Sequence, residues 1–177
     1  KADELLKRAL KRAMASGDLP MQALLGSNLA MSSYLRNQSE EAWDWADRSV
    51  AIWKKNQRQF SPEQAVETLL NAARTMSYVR MADPQHRVYL EEAVRLSVAH
   101  RDQVFPVTRA LGLSALANSY HAFDFRYAEA YPLIQEAISI NRADPLRQRA
   151  LADSLLTLGI VARYLGRADE SEKAMEE

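Results

Sequence analysis

The side chains able to carry chemistry are few, and their spacing argues against catalysis. The 177 residues include three histidines, His86, His100 and His121, and no cysteine. Zinc hydrolases set two imidazoles one helical turn apart with a carboxylate beside them; these three lie 14 and 21 residues apart. His100-Arg-Asp102 opens like a kinase catalytic loop, but Val107 stands where the metal-holding asparagine would be needed. No phosphate-binding glycine loop, Gly-x-Ser-x-Gly turn or dinucleotide fingerprint occurs. The acid pairs Glu40-Glu41 and Glu91-Glu92 are adjacent, so on a helix they point apart and read as solvated surface. Asn37-Gln-Ser39 fits a glycosylation sequon and is expected to be a chance match. The expectation is a protein that is not an enzyme, with no metal centre and no cofactor.

Composition points the same way. Basic and acidic residues balance at 23 each, giving zero formal charge, whereas a nucleic-acid binder carries a surplus of Lys and Arg to face phosphates. No apolar run approaches the roughly 20 residues that cross a bilayer, and no disulfide framework is possible. Only 5 glycines, with abundant Ala, Leu, Arg, Glu and Gln, predict an all-helical chain.

Its elements can be placed from their boundaries. Leu5, Leu6, Ala9, Leu10 and Ala13 form one stripe of a helix over residues 2–15, which Gly17 ends. Asp18-Leu-Pro20 opens the next, reaching Arg36, with proline in its first turn. Its partner, residues 40–55, carries all three tryptophans: Trp45 is expected inside, Trp43 over the preceding hairpin, and Trp53 partly exposed. Ser61-Pro-Glu-Gln64 supplies a capping serine, an N1 proline and a capping-box glutamine for a helix to Met81. Asp83-Pro84 begins a helix to Arg101, and Pro106 one to Phe123. Another starts near Arg126, with Pro132 in its first turn or at a kink. Asp144-Pro145 opens a helix ending at Gly166, and the last runs from Ala168 to Glu177. No Ser/Gly-rich or single-charge run interrupts them, so residues 1–177 read as one domain.

Within residues 152–175, Leu155, Leu158, Val161 or Ala162, and Leu165 recur at helical spacing; Gly166 follows, then the small residues Ser171 and Ala174. Helices joined by so short a turn lie antiparallel, and small residues let them approach closely. Leu155, Leu158, Gly159, Ala162, Gly166, Ser171 and Met175 together resemble the tetratricopeptide repeat. The frame also fits Leu29, Ala30, Ser33, Asn37, Ala42, Ala46 and Ser49. It fits Leu116, Ala117, Tyr120, Ala130 and Ala137 with one extra residue in the turn, and Leu69, Leu70, Ala73, Ser77, Leu90 and Ala93. The equivalent leucines, Leu29, Leu69, Leu116 and Leu158, are 40, 47 and 42 residues apart. The standard repeat is about 34 residues. The chain is therefore similar to the long-helix variants found in large bacterial regulators and motor light chains.

This resemblance implies an all-α, right-handed superhelical solenoid of stacked antiparallel helical hairpins: about four, plus an N-terminal orphan helix. It also implies a segment of a longer cytoplasmic protein whose uncapped terminal repeats are surfaces for self-association. In the family, the first helix of each hairpin lines the concave side. Two residues after the leucine this gives Met31, Asn71, Asn118 and Ile160; five after, Tyr34, Arg74, His121 and Arg163. Asparagines can clamp a peptide backbone, and Arg74, His121 and Arg163 form a basic stripe suited to an acidic segment or a free C-terminal carboxylate. The implied function is a non-catalytic protein–protein interaction module in a regulatory or signalling protein. It would hold an extended peptide or partner helix and contact neither nucleic acid nor membrane. The alternative is the small-metabolite-sensing and self-association segment of a transcription regulator, with Tyr34, Tyr120, Tyr164, Arg74 and Arg163 lining its pocket.

Overall fold

The computed structural model describes residues 2–81 and 83–177, excepting the Ala2 side chain, and among these every regular element is helical. The chain divides into two compact units, Lys1–Val104 and Phe105–Glu177. The first holds α1 (Ala2–Ser16), α2 (Leu19–Leu35), α3 (Ser39–Asn56), α4 (Pro62–Val79) and α5 (Gln85–Ala99). The second holds α6 (Pro106–Ser119), α7 (Tyr127–Arg142), α8 (Gln148–Tyr164) and α9 (Ala168–Glu176).

Local chemistry sets most of these boundaries. Ser61 Oγ accepts from the Gln64 amide while Gln64 Oε1 accepts from the Ser61 amide, so both halves of the capping box form. Asp18 Oδ1 accepts from the Met21 amide at the start of α2. Gly17, Asn37 and Gly166 all adopt left-handed φ, of 70, 60 and 74°. Behind each, paired backbone bonds close a Schellman turn: Asp18 N donates to Ala13 O, Gln38 N to Ser33 O and Arg167 N to Ala162 O. Asn37 thus serves a turn, the role its tolerance of that conformation suits. His100 is the C-cap of α5, which leaves His100-Arg-Asp102 as a helix end. Pro132 lies within the second turn of α7 with its ring exposed.

The third hairpin differs from the others. Its first helix ends at Ser119, and a single π turn, Tyr120–Asp124, follows, closed by Phe125 N donating to Tyr120 O, to which Arg126 N donates as well. A π turn absorbs one residue beyond α-helical spacing, which is how the extra residue of this repeat is housed. Phe125 then takes φ of 56° where the other turns use Asn or Gly.

In the first unit α2 packs against α1, α3 and α4, and α4 packs against α3 and α5. Leu29, Val50, Val66, Leu69, Leu70, Met76 and Leu90 are buried there, each stabilising by about 1.5–3 kcal/mol relative to exposure. In the second unit α7 packs against α6 and α8, and α8 against α9. Leu113, Ile134, Ile138 and Val161 fill that core. Small residues set the helix separation, as expected: Ser171 Oγ donates to Gly159 O at 2.8 Å, and a Cβ on Gly26 would lie 2.5 Å from Ser49 Oγ.

The tryptophans depart from expectation. Trp53, expected to be partly exposed, is buried at 6% exposure, while Trp45 is half-buried, its indole N–H donating to Glu41. Trp43 lies under the Arg80 guanidinium, 4.2 Å from its ring centre, and so meets the following hairpin rather than the preceding one. Helical phase alone could not show that α4 arrives over Trp43 from outside the hairpin.

Candidate functional site

On α4, Glu67, Asn71, Arg74 and Tyr78 recur at intervals of four, three and four residues, which keeps them on one face. That face borders α2. Asn71 Nδ2 donates to Asn28 Oδ1 at 3.3 Å, and the Tyr78 and Tyr34 rings stack with centroids 5.2 Å apart. Asn28 spends a donor on Leu24 O, whereas Asn71 Oδ1 has no protein partner among the described residues. Met31 is half-buried on α2. Arg74 is half-buried, and its guanidinium forms no ion pair or hydrogen bond among the described residues. Glu67, also half-buried, has no cation beside it among the described residues. Burial first, then the like charge of Glu63, raises its pKa.

The second unit repeats part of this arrangement. Thr157 Oγ1 of α8 reaches Asn118 Oδ1 of α6 at 2.9 Å, and Ser114 and Ser154 hydroxyls meet at 3.2 Å. In both units, then, a candidate asparagine ties the first helices of successive hairpins together. That is a stapling role the sequence did not reveal, because the partners Asn28 and Thr157 lie about 40 residues away. Arg163 is exposed and, among the described residues, forms no ion pair. His121 lies half-buried in the π turn, and burial pushes its pKa down. Burial thus works against the charge that the basic stripe would need at this position.

Of the tyrosines considered for a metabolite pocket, Tyr120 is buried with Arg126 over its ring at 4.1 Å. Tyr164 stacks on Tyr127 with centroids 4.4 Å apart and planes 8° from parallel. Glu67, Asn28, Tyr78, Thr157 and Tyr127 were all missed in the sequence. Glu67 and Tyr78 were recoverable, since they extend the Asn71–Arg74 face by one turn in each direction.

Two cavities lie elsewhere. One of about 480 Å³ runs between α3 and α5, past Trp53, Val88 and Tyr89. The other, about 440 Å³, lies among α7, α8 and α9, past Ile138, Leu158 and Ala174. None of the seven candidate residues lines either. Among the described residues no group of three or more His, Cys, Asp or Glu could hold a metal ion, and no helix is long and apolar enough to cross a membrane.

No family profile and no curated protein matches the sequence. Solved structures do match the fold. BtubC (BKLC) from P. vanneervenii superposes with a TM-score of 0.78 at 18% identity, over 99% of this chain and 70% of that one. A kinesin-light-chain candidate from Podosopora anserina with nearly identical TPR-like repeats superposes with a TM-score of 0.69 at 21% identity, over 99% of this chain and 82% of that one. The chain has the TPR-like repeat fold. In TPR-like terms α2, α4, α6 and α8 are first helices of hairpins, α3, α5, α7 and α9 are second helices, and α1 precedes them. The seven candidates all sit on TPR first helices or, for His121, on the π turn that follows one.

Proposed function

We propose that this TPR-like chain is a non-catalytic module that holds a protein partner, as an extended peptide or a helix, along the first helices of its hairpins. The partner presents an acidic side chain or a free C-terminal carboxylate, and the module works inside a larger cytoplasmic regulatory protein. A TPR-like fold, with neighbours that are repeat scaffolds, supports the interaction role. The observation that carries the finer reading is Arg74: a half-buried guanidinium that, among the described residues, has no partner, one turn from an asparagine whose carbonyl oxygen is likewise unused among them. A desolvated guanidinium gains more from a carboxylate than a solvated one does, and its planar fork takes both oxygens. On α8, Arg163 is a solvent-exposed cation with no ion pair among the described residues, so the same argument applies to it only weakly.

The metabolite-sensing reading has less support. Tyr120 is covered, and Tyr34 and Tyr164 each give a ring face to another tyrosine. The test is titration of the protein against labelled peptides ending in a free or an amidated carboxyl group. Asn71→Ala and Arg74→Ala are each expected to weaken binding of the free-acid peptide by about tenfold or more, the scale of a charge-assisted hydrogen bond. Unchanged affinity in both variants places the partner on another surface.

A further inference from the structure

The α4 face carries a second unpaired charge, of opposite sign. Glu67 and Arg74 are seven residues apart, two turns of one helix, so their side chains leave α4 on the same side about 10 Å apart along its axis. Both are half-buried, and neither meets an opposite charge among the described residues; the charge nearest in effect to Glu67 is that of the acidic Glu63. Elsewhere in the molecule Arg80, Arg95, Arg126 and Arg142 each hold a carboxylate from Glu40, Glu92, Glu129 and Glu177. A partly desolvated charge left alone is unfavourable, and two of opposite sign in line describe the complement of a ligand. Asn71 stands between them with an open amide oxygen able to accept a backbone N–H.

We infer that the α4 face takes a peptide carrying a basic residue opposite Glu67 and an acidic group opposite Arg74. A peptide in the polyproline II conformation advances about 3.1 Å per residue with three residues per turn, so side chains three residues apart share one face about 9 Å apart, and the two ligand charges are spaced as in Lys-x-x-Glu. Where the acidic group is a C-terminal carboxylate, the basic residue lies three residues before it. This inference rests on the first-helix binding mode proposed above and adds the sign and spacing of the ligand's charges. Because a chain can lie on the helix in either direction, the pairing of signs at that spacing is recognised rather than their order.

The experiment uses blocked peptides containing Lys-Ser-Ala-Glu, Glu-Ser-Ala-Glu or Lys-Ser-Ala-Lys, titrated into the ¹⁵N-labelled full chain and followed by amide shifts of α4. The wild type is expected to bind Lys-Ser-Ala-Glu at least about tenfold more tightly than either like-charged peptide. Glu67→Lys is expected to transfer the preference to Glu-Ser-Ala-Glu, and Arg74→Glu to Lys-Ser-Ala-Lys. Glu67→Gln, which keeps the shape of the side chain, should abolish the discrimination between Lys-Ser-Ala-Glu and Glu-Ser-Ala-Glu while leaving dependence on Arg74. Equal binding of those two peptides by the wild type, with affinity still lost in Arg74→Ala, overturns the role of Glu67 and leaves the binding mode standing. Absence of any α4 shift with all three peptides overturns both.

Discussion

At the scale of single residues, His121 makes the most direct electrostatic prediction. Its burial disfavours the imidazolium, so in the folded chain it titrates below the ordinary value near 6.5. As pH falls past that ordinary value, the unfolded chain takes up a proton that the folded chain refuses. Stability is thus full above about pH 6.5, declines as pH drops towards the folded value, and levels off beneath it. Chemical denaturation across pH 4–8 should show this decline in the wild type and a flatter profile in His121→Asn; an unchanged profile would remove His121 as its source. Asn71 makes a different prediction. If it staples α4 to α2, a double-mutant cycle of Asn28→Ala and Asn71→Ala should give a coupling of about 0.5–1 kcal/mol, with no ligand present. Zero coupling would mean that the 3.3 Å contact contributes nothing to the fold and that the amide is free for a ligand.

The two helical glycines at hairpin contacts separate what an element tolerates from what it does not. A Cβ on Gly159 would meet the Met175 side chain at 2.5 Å, but that chain is flexible and half exposed, so it can swing aside. A Cβ on Gly26 would meet Ser49 Oγ at 2.5 Å, and Ser49 is buried and donates to Trp45 O. Gly26→Ala should therefore destabilise by more than Gly159→Ala, and Ser49→Ala should relieve most of the difference; thermal melts of the three variants and the double variant decide it. At the helix ends, Ser61→Ala should cost about 1 kcal/mol by opening the capping box that starts α4. A loss indistinguishable from zero would show that packing alone holds that terminus.

For the molecule as a whole, each compact unit has its own buried core, around Leu69 and Leu70 in one and around Ile134 and Val161 in the other. In repeat folds stability comes from neighbouring hairpins, so a unit that contains such neighbours carries its own interface terms. Residues 1–104 expressed alone should give a helical spectrum and a cooperative melt. A gradual, featureless melt would show that the first unit lacks a core sufficient by itself.

The sequence by itself determined the local half of this protein. Proline and serine at helix starts, glycine and asparagine in left-handed turns, and apolar residues at helical spacing act within a few residues of where they stand, and α1 to α9 follow them closely. The helical hairpin repeat was legible for the same reason, since Leu29, Leu69, Leu116 and Leu158 repeat one local pattern. Even the extra residue of the third hairpin was visible, though the π turn that houses it was not. Tertiary structure alone decided which polar groups are spent and which remain. Asn71 meets Asn28, Thr157 reaches Asn118, Arg80 covers Trp43 and burial lowers the pKa of His121, each through a partner or an environment that chain spacing does not encode. Among the described residues Glu67 and Arg74 also lack partners, and opposite charges two turns apart on a rigid helix are held from closing on each other.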